Sequence, residues 1–373
     1  MTPQRILCVV GTRPEAIKIA PVILRLRREP TAFDTVVCAT AQHRALLDEV
    51  FGVFGITPDV DLNLMRPGQS PNAVAAGVFS GIDRAITDTR PDWLLVQGDT
   101  TSVMAASLAA FHRRIRIGHV EAGLRTGDLT QPFPEEMNRK VTDLVARLHF
   151  APTARAGQAL IDEGLPPSGV HVTGNTVVDA LRWTARQLPE APATHGIVLV
   201  TSHRRESFGV PMRRAFGAIR RLAERFADLE FVFPVHPNPE VVRAVDDVLS
   251  AVPNLRRVPP LGYRELVRLL RDARLVITDS GGIQEEAPAF GKPTLVLREA
   301  TERPEGVDAG IAILVGTDPE LIVREATRLL TDETAYRAIA RVRNPYGDGH
   351  ASDRIADLLA GRTATAFAVD DTP

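Results

Sequence analysis

Short apolar runs alternate with longer stretches of helical period along almost the whole chain. Residues 6–10, 35–39, 93–96, 115–120 and 148–151 are compact apolar runs that predict buried strands. The stretches 16–28, 43–54, 73–87 and 103–112 lie among them and predict helices. A second series of strand-like runs follows at 197–201, 231–235, 255–258, 275–278, 294–297 and 311–315. This alternation predicts parallel sheets with helices on both faces, an α/β class. Two series predict two doubly wound domains. The change of domain is expected within 174–194, where Leu188-Pro189-Glu190-Ala191-Pro192 reads as a linker. The expected division is 1–174 and 175–351, with a disordered tail at 363–373. No repeat of fixed short period is visible.

In open α/β sheets, ligands bind beyond the carboxyl ends of the strands. Polar motifs stand at those places. The first strand runs into Gly11-Thr12-Arg13-Pro14-Glu15, another into Gln97-Gly98-Asp99-Thr100-Thr101-Ser102, and the next into 119–126 with Glu121 and Arg125. In the second series, strands end in Thr201-Ser202-His203-Arg204-Arg205-Glu206 and Pro234-Val235-His236-Pro237. The stretch Thr278-Asp279-Ser280-Gly281-Gly282-Ile283-Gln284-Glu285-Glu286 is a strand end, a Gly-rich turn and a helix start. Such a turn offers free backbone N–H groups and the positive end of the helix dipole to an anion. Its glycines let the backbone come close to a phosphate. Glu286 lies one turn in, placed to accept hydrogen bonds from a ribose. Two acids beside a bound diphosphate call for a polar ligand. Two domains facing a cleft would pool all these motifs.

Composition narrows the class. The chain has 373 residues, 44% hydrophobic and 24% charged, as in globular proteins. A net charge of −2 argues against a nucleic-acid surface. Cys8 and Cys38 sit in strand-like runs and read as reduced core thiols. The first residues lack a signal peptide's apolar stretch, and no run has the length of a membrane span. A cytoplasmic protein is expected, with no membrane partner. Gly11-Thr12-Arg13-Pro14 is not G-x-G-x-x-G, so no nicotinamide or flavin cofactor is expected. Gly291-Lys292-Pro293-Thr294 is not a P-loop, because Glu286 stands where its first glycine belongs. His203 and His236 lack further ligands at metal spacing, and no metal is expected.

Asp99, Glu121 and Glu135-Glu136 are acids at strand ends or in the loops that follow, with His203 and His236 in the second series. Arg13, Lys18, Arg125, Arg139, Arg204, Arg205 and Arg303 supply positive charge. Acids set among fixed cations suit proton transfer beside a departing phosphate. Each has a plainer reading. Asp99-Thr100 fits a helix N-cap, Glu135 fits the opening of a helix after Pro134, and Arg204-Arg205-Glu206 fits a solvated charge run.

Taken together and in order, these motifs resemble the bacterial non-hydrolysing UDP-N-acetylglucosamine 2-epimerases. The resemblance includes 11–18, 98–102, 119–126, 132–136, 203–206, 234–239, 279–286, 301–306 and 344–349, and runs from about 6 to 359. It implies two Rossmann-like domains of the glycosyltransferase-B type, with a last helix at about 352–362 crossing back to the first domain. It implies reversible epimerisation at C2 of UDP-N-acetylglucosamine to UDP-N-acetylmannosamine. The C2 proton is not beside a carbonyl, so its removal must be coupled to loss of UDP from C1. Anti elimination gives 2-acetamidoglucal and UDP, and re-addition gives the epimer, with no cofactor. By this resemblance Asp99, Glu121, Glu135 and His203 match acid–base positions, with Lys18 and Arg139 supporting them. Arg13, His236, Ser280, Gly281, Gly282 and Glu286 match contacts to the UDP-sugar. Family members are often homodimers.

Many relatives bind a second substrate molecule as an activator. Gln42, His43, Gln69, Arg204 and His236 match that pocket. Ala45, Gly68 and Ser207 replace a glutamine, an arginine and an asparagine common there. Each lost polar contact weakens anion binding by roughly 1–3 kcal/mol where it is buried, so weak or altered substrate activation is expected. Three other readings stand beside epimerisation. A hydrolysing relative would release N-acetylmannosamine and UDP. A glycosyltransferase of the same fold would not need the three acids. A non-catalytic sensor would bind without turnover. A modified UDP-sugar, such as a uronate, is an alternative substrate.

Overall fold

A computed structural model of the chain describes residues 2–40, 44–64, 66, 68–190 and 196–369. They form two compact units, Met1–Trp183 with Tyr346–Pro373, and Thr184–Pro345. Unit 1 holds a parallel sheet of β1 (Gln4–Val10), β2 (Phe33–Ala39), β3 (Val60–Asp61), β4 (Trp93–Gln97), β5 (Arg116–Val120), β6 (Leu148–Ala151) and β7 (Val170–Val172). The strand order is β3-β2-β1-β4-β5-β6-β7. The helices are α1 (Arg13–Arg27), α2 (Arg44–Phe54), α3 (Pro71–Thr89), α4 (Thr101–His112), α5 (Glu135–Val145), α6 (Ala154–Asp162) and α7 (Thr176–Ala185). The edge strands β3 and β7 have two and three residues, too few to show an apolar run. The central strands are apolar on both faces because helices cover both. Leu7, Val9, Leu94, Val96 and Ile117 pack against Val78 and Ile82 of α3 and Val103 and Ala106 of α4. Cys8 and Cys38 are fully buried on β1 and β2, and burial pushes both thiols up to about 12.

Unit 2 holds β8 (Ile197–Thr201), β9 (Glu230–Pro234), β10 (Leu255–Val258), β11 (Ala273–Thr278), β12 (Thr294–Val296) and β13 (Ala312–Leu314), in the order β10-β9-β8-β11-β12-β13. Its helices are α8 (Val210–Arg225), α9 (Pro239–Leu249), α10 (Tyr263–Asp272), α11 (Gly281–Glu286), α12 (Pro304–Asp308), α13 (Pro319–Thr331) and α14 (Glu333–Ala340). The two faces of the sheet carry separate cores, as the period of two requires. Val198 and Val200 join Phe216, Phe233 and Ile322, while Leu199 joins Leu269, Leu270 and Val276. Two doubly wound parallel sheets are therefore present. In each, strand order reverses between two neighbours: β1 and β4 in unit 1, β8 and β11 in unit 2. Such switch points open a crevice where ligands bind.

The units divide later than position 174 and earlier than 351. The reason is a set of ties between α7 and the returning chain. The Asn175 N–H donates to Tyr346 O at 2.7 Å, and the buried Asp179 carboxylate accepts from Ala351 N at 3.2 Å and Ser352 N at 2.8 Å. The last helix, α15 (Ala351–Leu359), belongs to unit 1 and pairs with α1 through Arg25 and Asp353 at 2.8 Å. The tail from 363 to 369 is not free. Phe367 is buried, and its N–H donates to Val172 O at 2.8 Å, continuing beside β7.

Candidate active site

The switch point of unit 1 gathers four of the predicted acid and cation positions, Asp99, Glu121, Lys18 and Arg139. Asp99 follows β4 after Gly98, whose φ of +82° turns the chain at the strand end. Thr100, not Asp99, caps α4: its hydroxyl accepts from Val103 N at 3.2 Å. Asp99 is thereby left to pair with Arg139 of α5. Asn138 Nδ2 donates to the Asp99 carbonyl at 2.9 Å, so two neighbouring residues of α5 hold this turn. Glu121 follows β5 with φ +66°, a left-handed conformation uncommon outside glycine. Such strain persists where the surroundings fix it, and it clusters at functional sites. Both Glu121 N and Ala122 N donate to Phe150 O, at 3.0 and 3.2 Å. The Glu121 carboxylate pairs with Lys18 of α1 and accepts from Asn175 Nδ2 at 3.0 Å.

Glu135 and Glu136 separate clearly. Glu136 is fully buried, pairs with Arg139 at 2.9 Å and accepts from Thr126 N and Gly127 N at 3.2 and 3.3 Å. It holds the loop. Glu135 opens α5 and is half-buried, the more accessible of the two. Arg13 is the first residue of α1. Beneath the Asp99 turn lies His119, fully buried, with Nδ1 2.6 Å from Asp143 Oδ1 and Nε2 2.7 Å from Gly98 O. Burial alone would raise Asp143, but His119 and Arg125 outweigh it and hold the carboxyl below its ordinary range. Arg125 bonds Asp143 at 2.8 Å and Glu163 at 2.8 Å, so it serves the scaffold and not an open anion site.

In unit 2, His203 and Arg204 follow β8, Ser280 follows β11, and His236 follows β9. The His203 and His236 rings stack, with centroids 5.5 Å apart and planes 21° from parallel. Burial, then the neighbouring His203, lowers the His236 ring below the ordinary histidine range. Gly281 and Gly282 open α11, which passes into a 3-10 turn at Ala287–Phe290. A Cβ at Gly281 would lie 3.1 Å from Glu302 Oε1 and 3.5 Å from Arg204 Nη2, so a side chain there would press on this ion pair. Glu302 pairs with Arg204 at 2.9 Å and with Arg298. Although burial opposes it, its own backbone, Arg298 and Arg204 hold the Glu302 carboxyl at about 2.

The reading of Glu285-Glu286 as two ligand-seeking acids needs correction at Glu285. Glu285 is 2% exposed and forms an ion pair with Arg303, so its charge is matched inside unit 2. Glu286, also buried, lies on the same short helix. Arg204 and Arg303 thus stand in ion pairs, while Arg205 and Glu206 are exposed. Of the expected activator pocket, Gln42 and His43 lie outside the described residues. Gln69 accepts from Arg66 N at 2.8 Å in an exposed turn. Ser207 is buried in a short 3-10 turn after Arg204. Among the described residues there is no group of three or more His, Cys, Asp or Glu placed to hold a metal, and no helix long and apolar enough to cross a membrane. Asn138, Asn175, His119, Asp143 and Asp279 carry the site but had no role in the sequence reading. Asp279 and His119 lay within quoted motifs, and Asn138 stands three residues past Glu135 on one helix face, so these three had a local signal.

The UDP-N-acetylglucosamine 2-epimerase family profile matches residues 25–360. UDP-N-acetylglucosamine 2-epimerases from Yersinia pestis and Escherichia coli K12 are 46% and 47% identical to this chain, over 97% and 95% of it and 100% and 98% of their own lengths. The crystal structure of UDP-GlcNAc 2-epimerase from Neisseria meningitidis bound to UDP-GlcNAc superposes with a TM-score of 0.87 at 42% identity, covering 96% of this chain and 100% of that one. The profile runs from before β2 to the end of α15, and the chain belongs to the UDP-N-acetylglucosamine 2-epimerase family.

Proposed function

We propose that the protein interconverts UDP-N-acetylglucosamine and UDP-N-acetylmannosamine by anti elimination and re-addition of UDP. The observation that carries this is the pairing at the unit 1 switch point, Glu121 with Lys18 and Asp99 with Arg139. A fixed cation beside each carboxylate aims it, as proton transfer at one atom requires. Arg13, Ser280, Gly281, Gly282, Glu286 and His236 take the UDP-sugar. Backbone N–H groups of the glycine turn suit the diphosphate, and the Glu286 carboxylate suits the ribose hydroxyls. Asp99, Glu121, Glu135 and His203 form the acid–base set. One takes the C2 proton as the C1–O bond to UDP breaks, giving 2-acetamidoglucal. Another delivers a proton to the opposite face of C2 as UDP re-adds to C1. Electrons of the C2–H bond form the C1=C2 double bond and the departing UDP carries off the C1–O pair, so no redox cofactor enters.

The test is proton NMR of the purified protein with UDP-N-acetylglucosamine in heavy water. Deuterium at C2 of both UDP-sugars, with UDP-N-acetylmannosamine appearing, is the expected result. Free N-acetylmannosamine with UDP would replace epimerisation by hydrolysis. Binding of UDP with no conversion would overturn the proposal.

A further inference from the structure

We infer that Asp279 is the positioning residue for His203, fixing which ring nitrogen carries the proton and leaving Nε2 to exchange protons with the substrate. The inference rests on the acid–base reading of His203 above. Asp279 is fully buried at the end of β11. Its Oδ2 accepts three hydrogen bonds: from Ser202 Oγ at 2.9 Å, from the His203 N–H at 2.8 Å and from the Arg204 N–H at 3.0 Å. Its Oδ1 lies 3.2 Å from His203 Nδ1. Burial pushes this carboxyl up, but His203 and the two backbone donors outweigh burial and hold it below the usual carboxylate range. An ionised carboxylate only accepts. Facing that carboxylate oxygen at 3.2 Å, His203 Nδ1 is assigned the hydrogen, and Nε2 is the nitrogen left for chemistry. A base oriented by a third group in this way is the general logic of activated acid–base pairs.

The ring is fixed in a second direction by its stack on His236. The carboxylate also joins two loops. Asp279 immediately precedes Ser280, whose N–H is held by Thr278 Oγ1 at 2.9 Å, and Thr278 bonds Thr201 of β8 at 2.6 Å. The turn given to the diphosphate and the loop bearing His203 are thus registered through one buried side chain.

Asp279→Asn separates this role from a merely structural one. The backbone N–H groups of His203 and Arg204 can only donate, so they hold the asparagine carbonyl at the Oδ2 position. Its NH2 then takes the Oδ1 position and donates to Nδ1, which forces the proton to Nε2. Long-range proton–nitrogen NMR of the full-length protein above the histidine range, with His203→Ala to assign the signal, reads the tautomer directly. The expected result is Nδ1–H in the wild type, Nε2–H in Asp279→Asn, and a turnover loss of about a hundredfold or more. Adding Asp279→Asn to His203→Ala should cost less than about threefold further, because the two act as a unit. An Nε2–H wild-type ring, an unchanged tautomer in the variant, or an equal loss in the His203→Ala background would each overturn the inference. If the variant does not fold, the wild-type tautomer alone decides. A wild type without epimerase activity would defeat the functional proposal but not this measurement.

Discussion

Glu15 is the residue whose setting most changes what its type implies. In the sequence it closes the polar motif after the first strand. In the structure it is buried and accepts from Gly11 N at 2.6 Å and from Thr12 Oγ1 at 3.0 Å. Burial, only partly offset by these donors, pushes its carboxyl up to about 7. A raised acid stabilises the fold below its unfolded value near 4.5 and loses that contribution as pH rises through about 7. Glu15→Gln should therefore gain stability relative to wild type between pH 4 and 9 by roughly 3 kcal/mol, at about 1.4 kcal/mol for each tenfold change in proton affinity. Urea melts of both proteins across that range check the sign, and a difference independent of pH would refute it. Lys18 makes a second residue-scale case. Lys18→Met leaves Glu121 without its cation, and turnover should fall about a hundredfold while UDP affinity measured calorimetrically stays within about threefold. Glu121 and Lys18 were each visible in the sequence; their pairing was not, since they are 103 positions apart.

Elements hold the loops in place by close packing. The loop after β5 crosses α6 at Gly123, where φ is +87° and a Cβ would lie 2.2 Å from Ala156 O. Gly123→Ala must push the Glu121 loop away from α6. A loss of at least about 3 kcal/mol is expected, from backbone strain added to overpacking. Gly217 on α8 is the opposite case, with nothing within 4 Å of where a methyl group would stand and an ordinary helical setting. Gly217→Ala should stabilise by up to about 1 kcal/mol. Thermal melts of the two variants should move in opposite directions, and two shifts of one sign would contradict this packing account. The strand–helix alternation was legible because each element carries its own period. The edge strands β3 and β7 were not, because two or three residues have no period to show.

At the scale of the molecule, polar ties and the Phe367 ring help hold the chain's return to unit 1, beside the buried Tyr346, Ile355 and Leu359. Arg354 grips Asp348 at 2.7 and 2.6 Å and reaches the Thr173 and Thr365 carbonyls at 3.1 and 2.8 Å. Phe367 then fills a site beside Gly174, with its ring 3.5 Å from where a Cβ would stand. Phe367→Ala should cost about 3 kcal/mol, the usual range for an emptied aromatic site. Because residues 346–373 belong to unit 1, hydrogen exchange should quicken in β6 and β7 and leave β8–β13 unchanged. Equal quickening in both sheets would count against that assignment.

The two α/β series, the strand ends that bear acids and cations, and the family could all be read from the order of residues. These follow from local periodicity and from residues a few positions apart. The fold alone sets which acid meets which cation. It matched Glu285 with Arg303, buried Glu136 under the loop, left Glu135 more open, and gave Asp279 to His203. Those choices depend on which strands lie side by side. Neighbouring strands β8 and β11 bring Ser202 and Asp279 together across 77 positions of chain, a proximity that no local pattern encodes.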